Sequence, residues 1–298
     1  MTRIALVSTS NREEGTTRVI DLLGANPVKG KNVILKPNFN TADTPPGSTA
    51  TETLRVLIPK LREMGATSVT LAERSGPVST RECMEEKGIF KLAEELNFPI
   101  VNLAEIPLEE YVHVLPEDSH WKNGFLFAKI YHEAESIVET CCLKTHHSGH
   151  FTLSLKNATG LVPRRNLNGN SYMRELHGSP HIRKMIAEMN TAFSADLIVL
   201  DGVVAFVDGG PARGTRVNAN IMLAGSDRIA IDAVGVAILR THGTTPEVSK
   251  GSIFEQEQIA RAVELGLGVS SPNEIEILTD TDETSLLAEK IIEQLQAD

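Results

Sequence analysis

Short β-branched runs alternate with amphipathic stretches through the first half of this chain, and that rhythm constrains its fold more than any other feature. Ile4 to Val7, Val33 to Leu35, Ser68 to Leu71 and Ile100 to Asn102 have strand length and are bounded by turn residues. Between them, Thr51 to Met64 places Leu54, Leu57, Ile58 and Leu61 on one helical face and stops at Gly65. Thr80 to Lys87 and Ile89 to Leu96 repeat the pattern around Gly88. This alternation predicts an α/β fold, a mostly parallel sheet flanked by helices, either one unit or two lobes around a cleft. No repeat, low-complexity tract or linker forces a cut, so residues 1–298 read as a single α/β domain.

The rhythm loosens from Asn102 to Lys129, where Pro107, Pro116 and Asn123-Gly124 separate segments suited to a hairpin. Glu135 to Leu143 returns as a strand. Residues 161–172 read as a long loop of the kind that often serves as a lid. Tyr172 to Phe193 is expected to be one long amphipathic helix, and Asp196 to Leu200 a buried strand ending at Asp201-Gly202. Strand Ile221 to Leu223, helix Asp227 to Arg240, helix Ile253 to Leu265, strand Glu274 to Leu278 and helix Thr284 to Gln294 complete the chain.

The formal net charge of −10 disfavours a nucleic-acid partner, because backbone affinity rests on a basic surface that releases counterions. Aromatics at 4% supply few stacking platforms for single strands. No apolar run reaches membrane-spanning length, and Ile4 to Val7 is too short for a signal peptide, so the expectation is a cytoplasmic protein without a membrane partner. Cys83, Cys141 and Cys142 are too few for the usual four ligands of an iron–sulfur cluster, and no self-contained cluster is expected.

Chemistry concentrates behind the strand that ends at Leu143. Three histidines, His146, His147 and His150, lie between Lys144 and Lys156-Asn157. They read in three ways. His146 and His150 have the i,i+4 spacing of helix-borne metal pairs, although Gly149 interrupts it and no glutamate follows His146. Their ordinary pKa suits proton transfer. They also suit partly buried loop positions satisfied by backbone carbonyls. Lys144, Lys156 and Asn157, with Arg164 and Arg165, form a local basic region that would focus an anionic small molecule onto an otherwise acidic protein.

Other candidates follow strand ends, where open α/β sheets present ligands. Lys36-Pro37-Asn38 could hold a carboxylate or phosphate, or simply shape a turn. Glu73 reads as a general base, a carboxylate that supports another site residue, or a solvated loop acid. Gly209, Gly210 and Gly214 surround Pro211 in a segment whose backbone must turn sharply and could approach a cofactor closely. Asp201, at its entrance, could bind a cation or orient a histidine. No phosphate-binding glycine motif is present, so ATP and NAD are not expected.

Several of these segments together resemble the domain-of-unknown-function family 362. The matching pieces are Lys36-Pro37-Asn38, Gly65-Ala66 before a strand ending in Glu73, Lys144-Thr145-His146, Ser154-Leu155-Lys156-Asn157-Ala158-Thr159-Gly160, Asp201-Gly202, Gly209-Gly210-Pro211 with Gly214, and Ser226-Asp227-Arg228-Ile229-Ala230-Ile231-Asp232-Ala233. They span about residues 30 to 240 in order. The resemblance implies an association with iron–sulfur chemistry, because many relatives carry a cysteine-rich ferredoxin-like segment. This chain lacks that segment, so redox chemistry would need a separate ferredoxin-like electron carrier. More loosely, a His-rich loop followed by a Ser/Lys/Gly segment is similar to the catalytic face of lactate-racemase-like proteins, which use a nickel-pincer nucleotide.

The reading that emerges is an enzyme acting on an anionic small molecule or a cofactor with a phosphate or carboxylate handle. His146, His150, Lys156 and Glu73 are its candidate catalytic residues. Lys36, Asn38, Lys144, Asn157, Gly209, Gly210 and Gly214 are its candidate binding residues. His146, His150 and Asp201 are candidate ligands for a divalent metal such as Zn, Ni or Fe. The alternative is a non-catalytic metal or cofactor carrier, or a redox protein served by a ferredoxin. A homo-oligomer is compatible with either.

Overall fold

The computed structural model describes residues 1–297. Strand β1 (Thr2–Ser8) leads into α1 (Arg12–Leu23), β2 (Asn32–Lys36), α2 (Thr51–Glu63), β3 (Ser68–Glu73), α3 (Thr80–Glu86), α4 (Ile89–Leu96) and β4 (Ile100–Asn102). A separate two-stranded hairpin, β5 (Tyr111–Val114) with β6 (Phe125–Ala128), is followed by the short helix α5 (Lys129–His132). Then come β7 (Ser136–His146), β8 (His150–Thr152), α6 (Ser154–Asn157), α7 (Tyr172–Gly178) and α8 (Ile182–Met189). The remainder is β9 (Leu197–Gly209), β10 (Gly214–Val217), β11 (Ile221–Gly225), α9 (Arg228–Thr241), α10 (Pro246–Ser249), α11 (Glu257–Glu264), β12 (Ile275–Thr279) and α12 (Asp282–Gln296).

One continuous sheet holds ten strands, with β12-β1-β11-β9-β7-β2-β3-β4 in lateral order and β8 and β10 paired onto β7 and β9. Along that path only β11 runs antiparallel to its neighbours. Both faces are covered: on β1, Ile4 and Leu6 join one apolar cluster while Ala5 and Val7 join another. This is the burial expected of a mostly parallel sheet between helical layers. Helix α9 is buried along its length from Arg228 to Leu239. Among the described residues no helix is long and apolar enough to cross a membrane.

Topology fixes where a ligand would sit. From β2 the chain steps outward through β3 to β4, then returns to place β7 on the other side of β2. The strand order reverses there, and the crevice outside the carboxyl ends of β2 and β7 is the usual ligand position in such a sheet.

Five segments depart from the sequence expectation. The strand expected to close at Leu143 continues to His146 and turns back through β8, so the histidine segment is a β-hairpin. Its residues pair across a ladder, and the i,i+4 helical face does not exist. The single helix expected from Tyr172 to Phe193 breaks after Gly178, where Pro180 removes a backbone donor and holds Ser179 extended (φ −91°, ψ 137°). The strand expected to end at Leu200 runs on to Gly209 because its distal half pairs with β10. Finally, Ile253–Glu255 is a separate 3₁₀ turn before α11, and Arg12–Leu23 is a helix capped at Asn11, whose amide oxygen accepts from Glu13 and Glu14 N–H.

Candidate functional site

Lys36 closes β2 and Glu73 closes β3, while Lys144 lies near the end of β7, so adjacent strands deliver all three to one edge. Lys36 Nζ donates to Glu73 Oε2 at 2.7 Å, to the Pro37 carbonyl at 2.6 Å and to Asn157 Oδ1 at 3.0 Å. Lys144 Nζ donates to Asn38 Oδ1 at 2.9 Å and to the Gly47 carbonyl at 2.6 Å. Asn38 and Asn157 join through an amide contact of 3.3 Å, and Glu73 also accepts from the N–H groups of Phe39 and Arg74. The structure thus brings together Lys36, Asn38, Glu73, Lys144 and Asn157 in one buried polar network. Gly160 packs onto it: a Cβ there would lie 2.6 Å from Glu73 Oε1 and 3.0 Å from Lys36 Nζ. Gly160→Ala is therefore expected to destabilise the fold by about 1–3 kcal/mol through overpacking. Urea denaturation checks this; a shift within about 0.5 kcal/mol would contradict it.

Lys156 stands apart from this network. It sits on α6, whose first two N–H groups, Ser154 and Leu155, donate to the Asp232 carboxylate from α9 at 2.8 and 3.2 Å. Asp232 belongs to the Ser226–Ala233 segment, so that segment acts at a distance by fixing the helix that carries Lys156 and Asn157. Lys156 is only 9% exposed, and among the described residues its ammonium has neither a hydrogen-bond acceptor nor an ion-pair partner. Burial, followed by the charges of Lys144 and Arg74, lowers its pKa to about 8.

These groups line a cleft of about 690 Å³. Among the described residues its walls carry six lysine and arginine side chains and one acid, Glu73, which is already engaged by Lys36. Arg74 is occupied too, its guanidinium donating to the carbonyls of Val162, Ser75 and Thr159. Arg164 and Arg165 reach the cleft from the loop before α7, and Ser171, Met173, Leu176 and His177 extend the same wall. The volume suits a small organic ligand.

The histidines separate in role. His146, His147 and His177 line the cleft with their rings in a stack, His146 to His147 at 4.6 Å and His146 to His177 at 6.4 Å between centroids. Burial and the Lys156 charge hold both His146 and His177 below the ordinary histidine range. His177 was not singled out by the sequence, although Met173, Leu176 and His177 share the i, i+3, i+4 spacing of one helical face. His150 does not line the cleft. Its backbone takes φ +67°, and its charged surroundings are Arg183, Glu247 and Glu257. The structure therefore does not bring His150 to the cleft that Lys156 lines.

Asp201 is buried outside the cleft, where it pairs with Arg12 Nε at 2.6 Å and accepts from Val203 N–H. Gly209 and Gly210 adopt φ +79° and +73° in the turn between β9 and β10. A Cβ on Gly210 would run into the Thr145 carbonyl, and one on Gly214 into the Asp208 carbonyl. These glycines let the turn pack against the end of β7, where Pro211 reaches the cleft and the Gly210 carbonyl contacts His147 Nδ1 at 3.2 Å. None of the three glycines lines the cleft.

A metal cage does not fit the proposed donors. His146 and His150 are ladder partners but only His146 lines the cleft, Asp201 is engaged by Arg12 elsewhere, and among the described residues no three His, Cys, Asp or Glu side chains converge as metal ligands. The cysteines fit a cluster no better: Cys83, Cys141 and Cys142 are buried, and burial pushes all three thiols up, Cys142 to about 11.

Residues 33–237 match the model of a family described as a domain of unknown function (DUF362). A thylakoid-associated protein of Synechocystis sp. is 26% identical over 251 residues, covering 83% of this chain and 74% of that protein. Among solved structures, the lactate racemase apoprotein from Thermoanaerobacterium thermosaccharolyticum aligns with a TM-score of 0.46 at 15% identity. That alignment covers 75% of this chain, which spans 54% of the racemase chain.

Proposed function

The chain belongs to the DUF362 family, and from its site we propose that it is an enzyme acting on a small anionic molecule bound beside Lys156. One observation carries this reading: among the described residues, a lysine only 9% exposed has no counter-ion, in a cleft whose one acid is already paired. Burying an ammonium without a partner costs free energy that folding alone does not recover. A ligand carboxylate or phosphate is the missing partner, and the other cations concentrate it there.

The remaining groups divide the work. Lys36, Lys144, Asn38 and Asn157 satisfy one another and hold the floor rigid. Arg164 and Arg165 sit on an exposed loop at the mouth, where they can follow the ligand. With a pKa near 8, Lys156 has an appreciable free-amine population close to neutral pH, which suits it to accept a proton from a bound molecule. Calorimetric titration with glutarate and with inorganic phosphate at low ionic strength tests the reading. At least one should bind, and Lys156→Met should weaken that binding by more than about tenfold, the loss typical of a charge-assisted hydrogen bond. Absence of binding by both, or equal binding by the variant, would refute it.

A further inference from the structure

His146 has one nitrogen already committed. The backbone N–H groups of Ser148 and Gly149 both donate to His146 Nδ1, each at 3.1 Å. A ring nitrogen that accepts cannot carry a proton, so the neutral ring must bear its hydrogen on Nε2. Protonating Nδ1 would set an N–H against two fixed backbone donors, and burial beside Lys156 opposes the added charge. Nε2 has no partner among the described residues, and the ring lines the cleft. Two N–H donors on Nδ1 also draw electron density from the ring, which strengthens Nε2–H as a donor.

This arrangement revises two roles read from the sequence. With Nε2 protonated, His146 offers no lone pair to a metal and no basic nitrogen to a substrate. The same loop ties it to Lys156: Gly149, which donates to His146 Nδ1, has no side chain, and a Cβ there would press within 3.3 Å of Lys156 Cδ and Cε.

We infer that His146 is a fixed, uncharged hydrogen-bond donor to a carbonyl oxygen, and that the ligand is a small carboxylic acid bearing a ketone beside an enolisable C–H bond. The inference rests on the anion-binding reading above and adds its chemistry. The Lys156 amine takes the proton of the C–H bond next to the ketone, and that bonding pair forms the C=C bond of an enolate. The carbonyl pair moves onto oxygen, where the His146 N–H stabilises it as a neutral imidazole can. Return of the proton from the Lys156 ammonium to carbon regenerates the amine, so nothing is oxidised or reduced.

Two measurements on the full chain test it. Long-range 1H–15N spectra of histidine-labelled protein should show His146 as the Nε2–H tautomer, without protonation between pH 8 and 5. An Nδ1–H tautomer, or protonation within that range, would overturn the donor role. In parallel, 2-oxoglutarate should bind at least about tenfold more tightly than glutarate, which differs only in lacking the ketone. His146→Phe should erase that preference, while His146→Gln, whose amide still donates, should retain part of it. Equal binding of the two acids by the native protein would overturn the ketone assignment while leaving the anion reading intact. Failure of both acids to bind would overturn the ketone class together with its premise, whichever tautomer the spectra show.

Discussion

Lys156→Met is expected to make this protein more stable, by about 2–3 kcal/mol at pH 7, while weakening its affinity for small anions by more than about tenfold. Lys156 is charged in the unfolded chain up to a pKa near 10.5, but burial brings it to about 8 in the fold. Below about pH 8 both states hold the proton, and the fold bears the full cost of an unpartnered ammonium. Between about 8 and 10.5 the unfolded chain binds more protons than the folded one, so native stability rises with pH. Above that window the cost has gone. Methionine has nearly the same length without the charge, so the advantage of the variant should be full at pH 7 and shrink as pH approaches 10. Urea denaturation of both proteins at the two pH values gives the comparison. A variant less stable than the native chain at pH 7, or an advantage independent of pH, would contradict this account of Lys156.

The opposite sign is expected at the floor. Glu73→Gln should destabilise the fold by about 3–5 kcal/mol, because it leaves the Lys36 ammonium buried with only neutral acceptors. Lys36 and Glu73 are each 1% exposed and 2.7 Å apart. Glu73 also accepts from the Phe39 and Arg74 N–H groups. Glutamine with its oxygen at the Oε2 position keeps the Lys36 and Phe39 donors as a neutral acceptor, but its amide N–H₂ then faces the Arg74 N–H. Lys36→Met combined with Glu73→Gln should cost much less than the sum of the two single changes, since the charge and its counter-charge leave together. Additive losses, or a Glu73→Gln variant within about 0.5 kcal/mol of the native protein, would show that the pair is not coupled as described. The two lysines differ in one respect: Lys36 is buried beside its counter-charge, whereas Lys156 has none among the described residues.

How much of this was legible in the sequence follows from the range of each interaction. The parallel sheet was readable because its signals are local: β-branched runs, 3.6-residue spacing and Gly65 or Gly88 as stops. Lys36, Glu73 and Lys144 were readable as neighbours because each lies at or near the end of a strand, and strand ends converge. Their ranking was not. Nothing within a few residues of Lys36 shows that Glu73, on another strand, neutralises it, or that Lys156 is left alone. His146 and His150 show a different limit, since a spacing of four fits a helix and a tight hairpin alike. Gly149 suits the hairpin because a Cβ there would press within 3.3 Å of Lys156 Cδ and Cε. Asp201 looked available for a cation because its partner, Arg12, belongs to a helix whose apolar face is short and thus easily missed. The one-helix reading of Tyr172 to Phe193 gave too much weight to apolar spacing and too little to Pro180.

An anion bound beside Lys156 should raise its pKa and draw a proton from solution. Calorimetric titration of the native chain with glutarate at pH 8.5, repeated in buffers of different ionisation enthalpy, measures that proton directly. Binding is expected with a net uptake of up to about three-quarters of a proton, the share of Lys156 that is free amine just above its pKa of about 8, and the uptake should nearly vanish at pH 6.5, where Lys156 is already charged. Binding at pH 8.5 without proton uptake would contradict it.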